Sequence, residues 1–165
     1  MTLTAARAIL YGGLTAGVLD LLDAFVFFGL RSGARPMGIL HSIAAGWLGR
    51  DAARSGGMLT ATVGFFSHFL IAMMFAAAYV AASGRIEVLR RRWLVCGLLY
   101  GVAAYFTMTW LVVPLSNAGP AGSSLSFALP VRAVLINGLL IHAFGVGLPI
   151  AYFASMTRRR KRTPP

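Results

Sequence analysis

From Gly57 to Ala82 the chain carries no formally charged residue, and the segment ATVGFFSHFLIAMMFAAAYVAA within it is apolar almost throughout. A hydrocarbon layer about 30 Å thick is crossed by roughly 20 apolar residues in a helix. In lipid no water satisfies backbone N–H and C=O groups, so a single such stretch must close its own hydrogen bonds as a helix. A second run, WLVCGLLYGVAAYFTMTWLVVPL at 93–115, is equally free of charge. Runs at 7–30 and 131–155 are also long enough, although they carry Arg7, Asp20, Asp23 and Arg132. The expected fold is therefore all-α, a four-helix transmembrane bundle forming a single domain over 1–157. Only 12% of the residues are charged, against about 25% in ordinary soluble domains, so the chain cannot cover a water-facing surface. The first run is too long for the apolar part of a signal peptide and contains two aspartates, which reads as a retained helix.

The formal charge of +11 invites a nucleic-acid reading, but its distribution argues for membrane topology. Of the fifteen basic residues, ten lie in Arg7, the 85–92 loop and the tail Arg158, Arg159, Arg160, Lys161 and Arg162. The other five, Arg31, Arg35, Arg50, Arg54 and Arg132, fall on the opposite side. Positive charge stays in the cytoplasm, so both termini are expected there, with the 158–165 tail a disordered anchor on anionic lipid. Tyr11, Tyr79, Trp93 and Tyr152 fall where amphipathic rings settle at the inner interface. The 116–130 segment, rich in Gly, Pro and Ser, reads as a loop. In the longer outer segment, Met37, Leu40, Ile43, Ala44, Trp47 and Leu48 form an apolar stripe at helical spacing, opposite His41, Ser42, Ala45 and Gly49. That pattern predicts an interfacial helix over 36–48.

The chain also resembles itself. Gly13-Leu14-Thr15-Ala16-Gly17-Val18 in span 1 matches Gly97-Leu98-Leu99-Tyr100-Gly101-Val102 in span 3. In spans 2 and 4, Gly64 precedes His68 as Gly138 precedes His142, by four residues, with Ala-Tyr further on in each. Two parallel two-span repeats are expected, with the glycines letting backbones approach closely. Pro149 should disturb span 4 near the Gly145 carbonyl.

Buried among these spans are residues that cost free energy in lipid. Asp20 and Asp23 share a face, and each carries a penalty of roughly 2.5–3.5 kcal/mol at the bilayer centre. Counting 1.5 Å per residue places Asp20 about 20 Å from one side, and His68 and His142 about 16 Å from the other. All three then share a level near the midplane, with Asp23 and Asn137 further out. Repeat positions Ala104 and Thr107 replace the two aspartates, so the site is asymmetric. An Asp–His cluster at that depth points to a small-solute, ion or proton-handling protein with a site at Asp20, Asp23, His68, His142 and Asn137. A second reading uses His68 and His142 as axial ligands of a haem b in a redox subunit, with a glycine four residues before each making room for the macrocycle. Imidazole and carboxylate from His68, His142 and Asp20 also suit a transition metal. A third reading is a structural or accessory subunit, in a homo-oligomer or a larger complex, whose polar groups set helix register. No nucleophile-and-base arrangement argues for an enzyme, and lone Cys96 argues against disulfide or thiolate-cluster chemistry.

The phrases AGVLD in span 1, SHFLIAMMFAAAY in span 2 and MTWLVVPLS closing span 3 resemble uncharacterised bacterial inner-membrane proteins of the YagU-like group. The resemblance implies a bacterial inner-membrane location and carries no activity or catalytic residue with it.

Overall fold

A computed structural model describes residues 2–119 and 129–157; the basic tail and part of the 116–130 loop lie outside the described residues. Four helices are long and apolar enough to cross a membrane: α1 (Ala5–Ser32), α4 (Gly57–Ser83), α6 (Trp93–Leu115) and α7 (Arg132–Ser155). Short helices α2 (Pro36–Leu48) and α3 (Arg50–Ser55) join α1 to α4, and α5 (Val88–Arg91) joins α4 to α6. The chain is an all-α, multi-pass membrane protein.

Local sequence explains where α1 starts and stops. The Thr4 hydroxyl accepts from the Arg7 N–H at 3.3 Å, satisfying one of the free donors of the first turn. At the other end Gly33 takes φ 66°. There Gly33 and Ala34 donate to the carbonyls of Gly29 and Phe28, closing the helix in the way glycine favours. Pro36 then occupies the first turn of α2, where its missing N–H costs nothing.

α7 is the central helix, packed against both α1 and α6. Its second half, Leu148–Ser155, also reaches α4 and α5. The core therefore gathers at the end of the bundle that carries both described termini, around Ala8, Ala16, Ala76, Tyr79, Ile150 and Ala154. There Leu3 donates to the Met156 carbonyl at 2.9 Å, tying the two termini together. At the opposite end Ala44, Ala45 and Ala53 form a smaller cluster, but no residue of Arg132–Leu140 is buried.

Glycine contacts show how the spans approach. A Cβ on Gly13 would meet Met73, and one on Gly17 would meet Phe69 and Ala72. In the second half, a Cβ on Gly97 would meet Gly147 and Ala151, and one on Gly101 would meet His142 and Ala143. The pairings correspond: numbers advance by 84 in α1 and α6 (13 to 97, 17 to 101) and by 74 in α4 and α7 (73 to 147, 69 to 143). Each half thus packs its glycine helix on the following span through equivalent positions.

One feature departs from expectation. Tyr79 is not an interfacial ring. It is 1% exposed, and its hydroxyl donates to the Leu89 carbonyl at 2.9 Å, so it locks the short α5 onto the core. In α2 the buried residues are His41, Ala44 and Ala45, while Trp47 and Met37 face outward. Small side chains win this face because α2 crosses α4 at Gly64. A Cβ there would run into the Leu40 carbonyl and lie 3.2 Å from the Ala44 nitrogen. His41 finishes the contact by donating from Nε2 to the Gly57 carbonyl at 2.8 Å.

Both α6 and α7 also widen into π-helix, at Met108–Val112 and Ile141–Gly147. Each wide stretch ends two residues before a proline, Pro114 or Pro149. Proline supplies no N–H and its ring crowds the carbonyl four residues earlier, so the preceding turn opens. Sequence reasoning expected a disturbance at Pro149 but foresaw π-helix at neither proline.

Candidate functional site

At 100° per residue, Gly13 and Gly17 define the face of α1 toward α4, and Gly12 and Ala16 the face toward α7. Contacts agree, since a Cβ on Gly12 would meet the Ile150 backbone at 3.2 Å. Asp20 falls between these faces and Asp23 on the α7 side. Both carboxylates are thereby carried toward protein, which is where their desolvation cost is lowest.

Asp20 meets His142, with Oδ1 3.6 Å from Nδ1 and the two side chains 25% and 17% exposed. One turn further from the terminal end, Asn137 donates from Nδ2 to Asp23 Oδ2 at 2.7 Å. Two carboxylates on α1 are thus each matched by a polar partner on α7. Above the second pair lies an open groove of about 510 Å³, lined by Asp23, Val26, Phe27, Leu30, Arg31 and Asn137. Its lining mixes the polar Asp23, Arg31 and Asn137 with the apolar Val26, Phe27 and Leu30. His142 itself sits in the π stretch of α7, a departure from regular helix that recurs at functional sites.

His68 is placed differently. Its Nε2 lies 2.8 Å from the Gly17 carbonyl. A carbonyl only accepts, so Nε2 carries the hydrogen and is committed to the α1–α4 interface. That contact is one turn nearer the terminal end than Asp20. The depth count grouped Asp20 with both histidines; Asp20 meets His142, and among the described residues no contact brings His68 to either.

A haem does not fit these residues. The Nε2 that would face iron from His68 is engaged by Gly17. The two glycines expected to make room are filled: a Cβ on Gly138 would collide with the Tyr105 ring, and one on Gly64 with the Leu40 carbonyl. Both glycines serve protein packing. Among the described residues no three His, Cys, Asp or Glu side chains converge as a metal-ligand set, because His68 points away from the pair it was expected to join.

Tyr105 is the residue that sequence reasoning missed. Its ring packs edge-on against His142 with centroids 5.3 Å apart, and it is 6% exposed. The signal was present: Gly97, Gly101 and Tyr105 recur every four residues and so share the face of α6 that meets α7.

The fold and these polar pairs define a multi-pass helical membrane protein with an intramembrane carboxylate–imidazole pair. Compared with protein-family models, with curated proteins and with solved structures, the chain matches none.

Proposed function

We propose that this protein handles protons or another small cation through the Asp20–His142 pair, in a bacterial inner membrane with both termini cytoplasmic. The observation that carries the reading is that pair, held between α1 and α7 at 3.6 Å, one turn from a groove whose lining includes Asp23 and Asn137. A carboxylate costs too much in lipid to be placed there without use or compensation, and imidazole is the side chain that exchanges a proton near neutral pH. Two acidic groups and one imidazole favour a cationic or protonic species over an anion. The groove would then open to the outer side, with Arg31 at its mouth.

Reconstitution into liposomes tests this directly. Wild-type protein should dissipate an imposed proton or alkali-cation gradient, and Asp20→Asn should reduce the rate to that of protein-free vesicles. Asparagine keeps the shape of the side chain but carries neither charge nor exchangeable acid proton. A folded Asp20→Asn protein with wild-type flux would overturn the reading. A second reading, that of a structural or accessory subunit, draws support from His68, whose hydrogen bond to Gly17 joins two helices. Under it, neither protein moves the gradient.

Orientation has its own test. The ten-to-five division of basic residues places their excess on the cytoplasmic side. Reporter fusions after Gly84 and after Arg162 should signal cytoplasm, and fusions near Gly49 and Gly119 the opposite side. Outward signals from the tail would reverse the topology.

A further inference from the structure

Nearly every polar side chain between the spans has a partner on a neighbouring helix or its own backbone. Among the described residues two buried side-chain atoms do not: the Tyr105 hydroxyl and His142 Nδ1. Leaving one such group unsatisfied costs about 1–3 kcal/mol. Here the two occur together, on rings in edge-on contact from adjacent helices. Asp20 Oδ1 stands 3.6 Å from the same Nδ1, beyond the usual reach of a direct hydrogen bond. Asp20 from α1 and the Tyr105 ring from α6 thus both pack against His142 of α7. Gly138 admits the phenol, since any Cβ there would collide with the Tyr105 ring.

We propose that Tyr105, His142 and Asp20 bind one small hydrogen-bond donor of water or ammonium size, and that Tyr105 is the third member of the site. The chemistry of the groups selects such a ligand. The Asp20 carboxylate accepts only, the phenol oxygen accepts as well as donates, and Nδ1 accepts when the imidazole hydrogen is on Nε2. A ligand with two to four polar partners is the ordinary occupant of such a buried polar place, and it joins groups too far apart to bond directly. The inference rests on the proposed function only for its use. If the site carries protons, this ligand is the link between Tyr105 and the Asp20–His142 pair.

The test reads occupancy and needs no flux. Protein labelled with 15N-histidine, in lipid bilayers, is examined by solid-state NMR for magnetisation transfer from water to each imidazole. His142 should receive transfer strongly, and His68, whose Nε2 is held by Gly17, should serve as the dry internal reference. Tyr105→Phe keeps the ring and removes one partner, so transfer to His142 should fall several-fold while His68 is unchanged. A parallel titration with ammonium separates the two ligands: a saturable change at His142 identifies ammonium, and strong transfer without that change identifies water. A His142 signal as weak as that of His68 and insensitive to ammonium would overturn the site. So would a Tyr105→Phe protein identical to wild type in both measurements. A wet His142 in a protein that moves no gradient would leave the site standing and remove the transport reading.

Discussion

Gly147→Ala should leave little folded protein, although it adds a single methyl group. A Cβ at this position would run into the Gly97 carbonyl and lie 2.6 Å from the Gly101 nitrogen. Both obstacles are backbone of α6, which cannot turn aside as a side chain can. Gly101→Ala meets the reciprocal obstacle, 2.6 Å from the His142 carbonyl carbon and 2.7 Å from the Ala143 Cα. Overpacking in a tight core costs up to about 3 kcal/mol, and more when nothing can move. That is a large share of the stability of a bundle held by close packing alone. Thermal unfolding in detergent, followed by circular dichroism, should show both variants unfolded or lowered far below wild type. Gly13→Ala, on the glycine helix of the first repeat, meets mainly the flexible Met73 side chain and should cost about 1 kcal/mol. Gly38 has open space around it, so Gly38→Ala in α2 should be neutral or stabilising by up to about 1 kcal/mol. Equal effects at Gly147 and Gly38 would mean that α6 and α7 do not approach as described.

The contrast between those glycines marks what a sequence of this kind can reveal. The spans were legible because lipid imposes one rule on a whole segment: about 20 apolar residues, helical, with internal hydrogen bonds. Observed helices begin and end within two residues of the runs expected at 7–30, 57–82, 93–115 and 131–155. Counting residues put Asp20, His68 and His142 at one depth, which allows the contact of Asp20 with His142 but does not choose it over one with His68. What was not legible is which side each group turns to. His68 and His142 hold equivalent places in the repeat, with glycines four residues before each, yet Leu40 fills the space at Gly64 and Tyr105 the space at Gly138. Those fillers come from α2 and α6, remote in sequence, and no periodicity within α4 or α7 encodes them. Tyr79 shows the same limit: an amphipathic ring near a span end fits an interface or a buried hydroxyl bond equally well, and the Leu89 carbonyl decided for the second.

That divergence makes the two histidines the sharpest test of function. His142→Ala should abolish the flux of reconstituted protein, because it removes the only imidazole that meets Asp20 among the described residues. It also strands a carboxylate that is three-quarters buried, and breaking such a pair from one side is costly. His142→Gln keeps a neutral polar group of similar reach beside Asp20 and should fold better, yet still fail to exchange a proton. His68→Ala should do the reverse. It removes one hydrogen bond between α4 and α1, worth about 0.6 kcal/mol on average between membrane helices and rarely above about 1.7. The variant should therefore melt slightly earlier and keep wild-type flux. Each protein is compared by unfolding and by gradient dissipation in the same vesicles, so loss of folding is separated from loss of chemistry. If His142→Gln folds and conducts like wild type, the pair with Asp20 only sets the register of α7 on α1. If His68→Ala is folded and inactive, the proton path runs along the α1–α4 interface, and Gly17 in place of Asp20 marks where it enters.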